Sequence, residues 1–270
     1  MENIKYIYFD LDGTIVDNNY NISETNLKAI DYLKSKNIKV GIITGRSIHT
    51  VNEIIDKINP DLPTIVLNGG AIYDGNEIFE EKFIGYSSWN AIETIVDLGF
   101  NFSIYTKIGI YSNSFNNKNY RKLFDRVRDY ETKYRTFEMD VIENINWLKR
   151  KRIYKIGIQI DSVAEKELLI NKLNHLEDIE ICCSSDSQLD ILPKDVSKGN
   201  ALKLVSIVSE ININELMVIG DNDNDVSMFD LVPVSVVMRN GSDLAKQHGK
   251  IITQRTCEDN GFAHFISQNF

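Results

Sequence analysis

The chain has 270 residues and a formal net charge of −9, from 39 acidic against 30 basic side chains, which disfavours nucleic acid as its main partner. That is enough chain for one large domain or two small ones, and its core needs no disulfide or metal staple. An apolar share of 43% and a charged share of 26% exclude wholesale disorder, and no apolar stretch approaches the ~18 residues of a membrane span.

The N-terminus carries Glu2 and reaches Asp10 after a short apolar run, which is not the pattern of a signal peptide. Residues 4–9 read as a first strand, rich in β-formers. Residues 23–36 read as an amphipathic helix with Ser23 as N-cap and Leu27, Ile30 and Leu33 on one face. Residues 38–43 form a second apolar strand. A second helix follows at 47–58, with Ile48, Val51, Ile54, Ile55 and Ile58 on its buried side, then a third strand at 64–67. Continuous apolar strands separated by helices predict a parallel sheet covered on both faces. Residues 71–83 change character and read as a hairpin turning at Asp74-Gly75.

The middle reads differently. Residues 87–98 are helical, 100–111 alternate like a half-buried strand, and 117–134 form a charged helix. Further strands are expected at 153–160, 178–183 and 188–192, with a helix at 162–173. Cys182 and Cys183 fall in one of these strands. An odd cysteine count of three without CxxC spacing points to reduced thiols and a cytoplasmic protein. The βα rhythm then returns: helix 198–210, strand 216–219, short helix 225–231, strand 234–237. The expected fold is α/β, a doubly wound parallel-sheet core over residues 1–83 and 191–270, with an inserted α+β domain at 84–190. Charge follows this division. Between Lys107 and Lys155 there are 13 Lys and Arg against 6 Asp and Glu. The run Lys149-Arg150-Lys151-Arg152 is expected to have no aromatic stacking partners, which weakens a nucleic-acid reading.

Chemistry-bearing residues gather where the predicted parallel strands end, the place at which open α/β sheets bind ligands. Strand one ends in Asp10-Leu11-Asp12-Gly13-Thr14. One carboxylate can attack an electrophile while the other moves protons. Asp-Gly alone is an ordinary turn dipeptide, but all four fixed letters of DxDGT arise by chance in such a chain roughly once in 600. Strand two ends in Thr44-Gly45-Arg46, whose hydroxyl and free backbone N–H groups suit an anion. Strand three ends in Asn68-Gly69-Gly70, equally readable as a turn. Asp221, Asp223 and Asp225 lie in GDNDND at 220–225. Three carboxylates so close need a cation or a lysine, and oxygen ligands favour Mg²⁺ over zinc. An EF-hand does not fit, because Val226 and Val232 stand where its Gly and Glu belong. Lys198-Gly199 opens a helix. His49, His175, His248 and His264 have no metal spacing.

Together, DLDGT at 10–14, TGR at 44–46, NGG at 68–70, Lys198-Gly199 and GDNDND resemble the haloacid dehalogenase superfamily, and within it the Cof-type phosphatases with a type IIB cap. The resemblance implies the following roles. Asp10 is the nucleophile that forms an aspartyl-phosphate. Asp12 is the acid for the leaving oxygen and then the base for water. Thr44, Lys198 and the backbone of Leu11 clamp phosphate, Gly45 gives close approach, and Asn224 touches phosphate. Asp10, the carbonyl of Asp12 and Asp221 hold Mg²⁺, with Asp225 orienting Lys198. Arg46, Asn68 and Gly69 line the entrance as further substrate- and phosphate-binding residues. The stretch LDILPKD at 189–195 departs from the glutamate-containing version of many relatives, which leaves substrate contacts there open. The implied activity is Mg²⁺-dependent hydrolysis of small phosphorylated metabolites, sugar phosphates first among them, with no membrane or nucleic-acid partner. Phosphomutase, flavin- or pyridoxal-phosphate phosphatase, and a non-catalytic binding module are the alternatives. A dinucleotide oxidoreductase is excluded by the missing GxGxxG.

Overall fold

The computed structural model describes residues 1, 3–18, 20–128, 137–185 and 187–270. Its chain divides into two compact units. The first comprises Met1–Arg46, Ile54–Glu80 and Ser197–Phe270, and the second Ser47–Glu53 and Glu81–Val196. In chain order the elements are β1 (Tyr6–Phe9), α1 (Glu24–Ser35), β2 (Lys39–Ile42), α2 (Asn52–Ile58), β3 (Thr64–Val66), β4 (Ala71–Asp74) and β5 (Glu77–Glu81). Next come α3 (Ser87–Asp97), β6 (Phe102–Thr106), β7 (Gly109–Ser112), α4 (Lys118–Arg128), β8 (Glu138–Val141), β9 (Ile153–Gln159), α5 (Val163–Leu173), β10 (Ile179–Ser185) and β11 (Gln188–Pro193). The last group is α6 (Lys198–Val208), β12 (Leu216–Gly220), α7 (Val226–Phe229), β13 (Val234–Val237), α8 (Asp243–His248), β14 (Ile251–Ile252) and α9 (Gly261–Asn269).

In the first unit five strands pair in parallel in the order β14-β13-β12-β1-β2. A parallel bridge between Ile43 and Ile65 continues the arrangement towards the antiparallel group β3-β4-β5. Every residue of β12 is buried, and Leu202 and Val205 of α6 pack with Tyr8, Val218 and Phe229 in one core. Ser23 caps α1 by accepting the Asn26 N–H at 3.0 Å. Asn26 itself is buried, and its side chain ties Ile15 O to Ala263 N, so α1 and α9 are joined by a satisfied polar group.

The second unit has a six-stranded sheet, β10-β11-β9-β6-β7-β8, antiparallel except for the β7–β8 pair. Alternation along its strands gives it two faces. Phe102, Ile104, Ile156, Ile158, Leu189 and Ile191 pack with Ile92 and Ile95 of α3 and Leu169 and Leu173 of α5. Ser103 and Asp190 occupy intervening positions. Lys155 and Asp190 form a buried ion pair at 2.9 Å, and the start of α4 is tied to Ser103 and Gln159 through Asn117 and Lys118.

Several expectations change. The helix expected at 47–58 is a short 3₁₀ turn, Ile48–Thr50, followed by α2. The Thr50 hydroxyl bonds back to Ser47 O, and Val51 leaves helical geometry at φ −121°. The strand expected at 100–111 is two strands, because Thr106 Oγ1 accepts from the N–H groups of Ile108 and Gly109 and closes a turn. The helix expected at 117–134 is described only as α4, and residues 129–134 lie outside the described residues. The basic run does have aromatic companions. Lys149 lies 4.2 Å from the Trp89 ring centre, Lys151 3.9 Å from that of Trp147, and Arg152 5.2 Å from that of Phe83. Among the described residues no helix is long and apolar enough to cross a membrane.

Candidate active site

The register of the parallel sheet explains why distant motifs meet. Phe9 pairs with both Ile42 and Ile219, so β1, β2 and β12 end at one level. The chain leaves β1 towards β2 on one side and returns to β12 on the other, which makes this a topological switch point. Asp10 follows β1, with its N–H on Ile219 O at 2.9 Å, and Thr44 and Asp221 follow the two neighbouring strands.

Lys198, the first residue of α6, is fully buried. Ser197 caps that helix and fixes where the lysine starts. Its Nζ donates to Asp10 Oδ1 and to Asp225 Oδ1, each at 2.6 Å. Asp225 Oδ2 accepts the backbone N–H groups of Asp221 and Asn222 at 2.8 and 2.9 Å. Both Asp225 oxygens are therefore engaged, and the residue braces the lysine against the acidic loop.

Asp10, Asp221 and Asp225 each place an oxygen within 4.8 Å of the others. Burial drives Asp10 up to about 7; Lys198 opposes that rise, and the charges of Asp225 and Asp12 add to it. Burial likewise raises Asp221 well above the usual carboxylate range, with Asp10 and Asp225 adding to the effect. Burial alone would lower the Lys198 ammonium, but the two carboxylates outweigh it and raise it. Three crowded carboxylates around a single ammonium are under-neutralised. The donor set is all oxygen and suits a hard divalent cation. With Asp225 committed elsewhere, Asp10 and Asp221 are the side chains fitted to hold it.

The other expected residues are distributed around this centre. Leu11 is buried, and its carbonyl accepts three backbone N–H groups, from Thr14, Ile15 and Val16. Thr44 is buried, and its Oγ1 accepts the Arg46 N–H at 3.2 Å. A Cβ on Gly45 would come within 2.9 Å of Asn68 Oδ1, which accounts for glycine there. Asn68 in turn accepts from Asn224 Nδ2 at 2.9 Å, while Asn224 Oδ1 is a buried acceptor with no partner. Leu67, Asn68 and Gly69 all have positive φ, at 54°, 57° and 103°, a strained run beside the site. The Asp12 carboxylate is gripped by Arg46, from Nε to Oδ2 at 2.7 Å and from the second guanidinium nitrogen to Oδ1. From the sequence, Arg46 is expected among the substrate- and phosphate-binding residues of the entrance, with no contact to Asp12. Sequence reasoning also missed Thr14, whose Oγ1 donates to Asp221 Oδ1 at 3.1 Å, and Asn240, which donates to Gly13 O at 2.8 Å. Thr14 stands inside a recognised motif; Asn240 reads from sequence only as part of a turn and helix cap, Asn240-Gly241-Ser242.

The family model for haloacid dehalogenase-like hydrolases matches residues 7–266. The chain belongs to this family. Within it, the chain is 29% identical to a Mycoplasma genitalium protein named "Putative phosphatase MG265", over 98% of both chains. It is 26% identical to the 5-amino-6-(5-phospho-D-ribitylamino)uracil phosphatase YwtE of Bacillus subtilis, again over 98% of both. The solved structure of the subclass IIB sugar phosphatase BT4131 superposes with a TM-score of 0.84, at 19% identity, covering 98% of each chain. Family and phosphatase-named relatives together identify a phosphatase of the Cof type, with the parallel-sheet core and separate mixed-sheet domain of that fold.

Proposed function

We propose that this phosphatase hydrolyses small phosphate monoesters, sugar phosphates first among them, with Mg²⁺ and through an aspartyl-phosphate on Asp10. The observation that carries the reading is the buried Asp10–Lys198–Asp225 chain with Asp221 beside it. In this reading residues 1–83 and 191–270 are the catalytic core and 84–190 the cap. An Asp10 oxygen attacks phosphorus as the ester P–O bond breaks. Asp12 gives a proton to the departing oxygen, then takes one from the water that attacks the phosphoaspartate and frees phosphate. Lys198 neutralises phosphoryl oxygens, assisted by Thr44 Oγ1 and by backbone N–H groups near Leu11 and Gly45. Asn224 touches the transferring group through its amide nitrogen, which donates to Asn68 Oδ1 and is the group able to donate to a phosphoryl oxygen. Asp10, the Asp12 carbonyl and Asp221 would hold Mg²⁺, which when bound offsets the crowded negative charge and polarises a phosphoryl oxygen.

The relative from B. subtilis favours a second substrate reading, a ribityl phosphate on a flavin precursor, within the same chemistry. The test is phosphate release over a panel containing hexose phosphates, pyridoxal phosphate and flavin-precursor phosphates. Mg²⁺ should support turnover, excess chelator should abolish it, and Ca²⁺, with its looser and larger shell, should not restore it. Release in excess chelator would remove the metal from the reading. Isomerised hexose 1-phosphate in place of free phosphate would make the enzyme a mutase.

A further inference from the structure

We propose that Arg46 is a positioning residue that aims the Asp12 carboxylate at the leaving oxygen. The inference rests on the reading of Asp12 as the general acid. A two-pronged guanidinium fixes both the position and the plane of a carboxylate, which a single hydrogen bond or a lysine does not. The two partners differ in exposure: the Arg46 side chain is 8% exposed and that of Asp12 46%. A half-exposed carboxylate at a turn would otherwise sample several rotamers, and the buried arginine selects one. A pair with one wet partner adds little stability, so its effect lies in orientation.

Arg46 is itself held from several sides. Its N–H sits on Thr44 Oγ1 and its carbonyl accepts Leu67 N–H at 2.8 Å. Its guanidinium carbon lies 5.4 Å from the centre of the Tyr20 ring. Asp12 is anchored independently, in the loop where it bridges Val16 and where Gly13 N–H bonds Val16 O at 3.1 Å. The fork therefore links the ends of two neighbouring strands, and when Asp12 carries the proton it delivers, one oxygen bears that proton while the other keeps its arginine contact.

The competing role, a direct ligand of the substrate phosphate, predicts a different dependence on the leaving group. The experiment compares kcat/KM for p-nitrophenyl phosphate, whose phenolate leaves without a proton, and for an alkyl phosphate such as a hexose 6-phosphate. Asp12→Ala calibrates it, with the alkyl ester losing far more than the aryl ester. An equal loss on both esters in that variant would overturn the reading of Asp12 itself. Given the calibrated pattern, Arg46→Ala should copy it, with a loss of about 10²-fold on the alkyl ester and a much smaller one on the aryl ester. Arg46→Lys should recover little, added guanidinium should recover part, and the double variant should be no worse on the alkyl ester than Asp12→Ala alone. Equal losses on both esters in Arg46→Ala, with the fold intact by circular dichroism, would overturn the positioning role in favour of phosphate binding.

Discussion

Lys198 holds Asp10 and Asp225 at 2.6 Å in a fully buried setting, so the site is an electrostatic unit in which each charge answers another. Asp10→Asn keeps the shape and removes the oxygen anion that the proposed mechanism uses for attack. Turnover should fall on the order of 10⁴-fold or more, measured as phosphate release, while circular dichroism stays unchanged. The raised pKa of Asp10 has a definite sign for stability. Its folded value of about 7 lies above the ordinary carboxylate range, so the folded protein binds the proton more tightly than the unfolded chain does. Without metal, ionising Asp10 lowers stability as pH rises from about 4 to about 7. Urea titrations in chelator should therefore show Asp10→Asn gaining on wild type across that window, and a constant difference would contradict the burial effect. At this scale the sequence was informative about which residues meet: Asp10, Asp221 and Asp225 converge as their strand-end positions implied. It was silent on pairings between strand ends, such as Arg46 with Asp12 and Thr14 with Asp221, because these depend on how neighbouring loops fold over one another.

The loop after β1 shows how an element constrains the chemistry it carries. Gly13 has φ +75°, and a Cβ there would lie 2.2 Å from Asp221 Oδ2. Gly13→Ala therefore both strains the backbone and pushes a carboxylate suited to the cation out of place. It should destabilise the protein by about 1–2 kcal/mol in denaturant melts and raise the Mg²⁺ concentration needed for half-maximal activity. An unaltered Mg²⁺ dependence would show that this contact is incidental. The long apolar strands and the capped helix α1 were legible because burial on both faces and an N-cap leave plain patterns. The break before α2 was not, since a threonine hydroxyl bonded to its own backbone leaves the apolar spacing unchanged. β14 has two residues, too few for any period, and α9 is anchored through Asn26, a polar residue on a face that periodicity assigns to leucine and isoleucine.

Across the molecule, charge is unevenly spread. The stretch from Lys107 to Lys155 is basic within a chain of net −9. A basic segment within about a Debye length of an approaching phosphate dianion, ~8 Å at physiological salt, offsets the repulsion from an acidic enzyme. Changing Lys149, Arg150, Lys151 and Arg152 to Gln should lower kcat/KM at low salt, flatten its salt dependence and leave kcat nearly unchanged. Identical kcat/KM for variant and wild type across ionic strength would make the run plain surface, its cations serving only the Trp89, Trp147 and Phe83 rings. The division into a parallel-sheet unit and a mixed-sheet unit was legible from the change of rhythm along the chain, whereas the buried Lys155–Asp190 pair was not, since both residues sit in strands that read as apolar. The central claim is covalent catalysis by Asp10, and trapping the intermediate tests it most directly. Asp12→Ala with p-nitrophenyl phosphate should release nitrophenol in a burst and accumulate the acyl phosphate, which borohydride reduces to homoserine. Peptide mass spectrometry should then find homoserine at position 10, and homoserine at any other carboxylate, or a burst with no residue converted, would contradict the account.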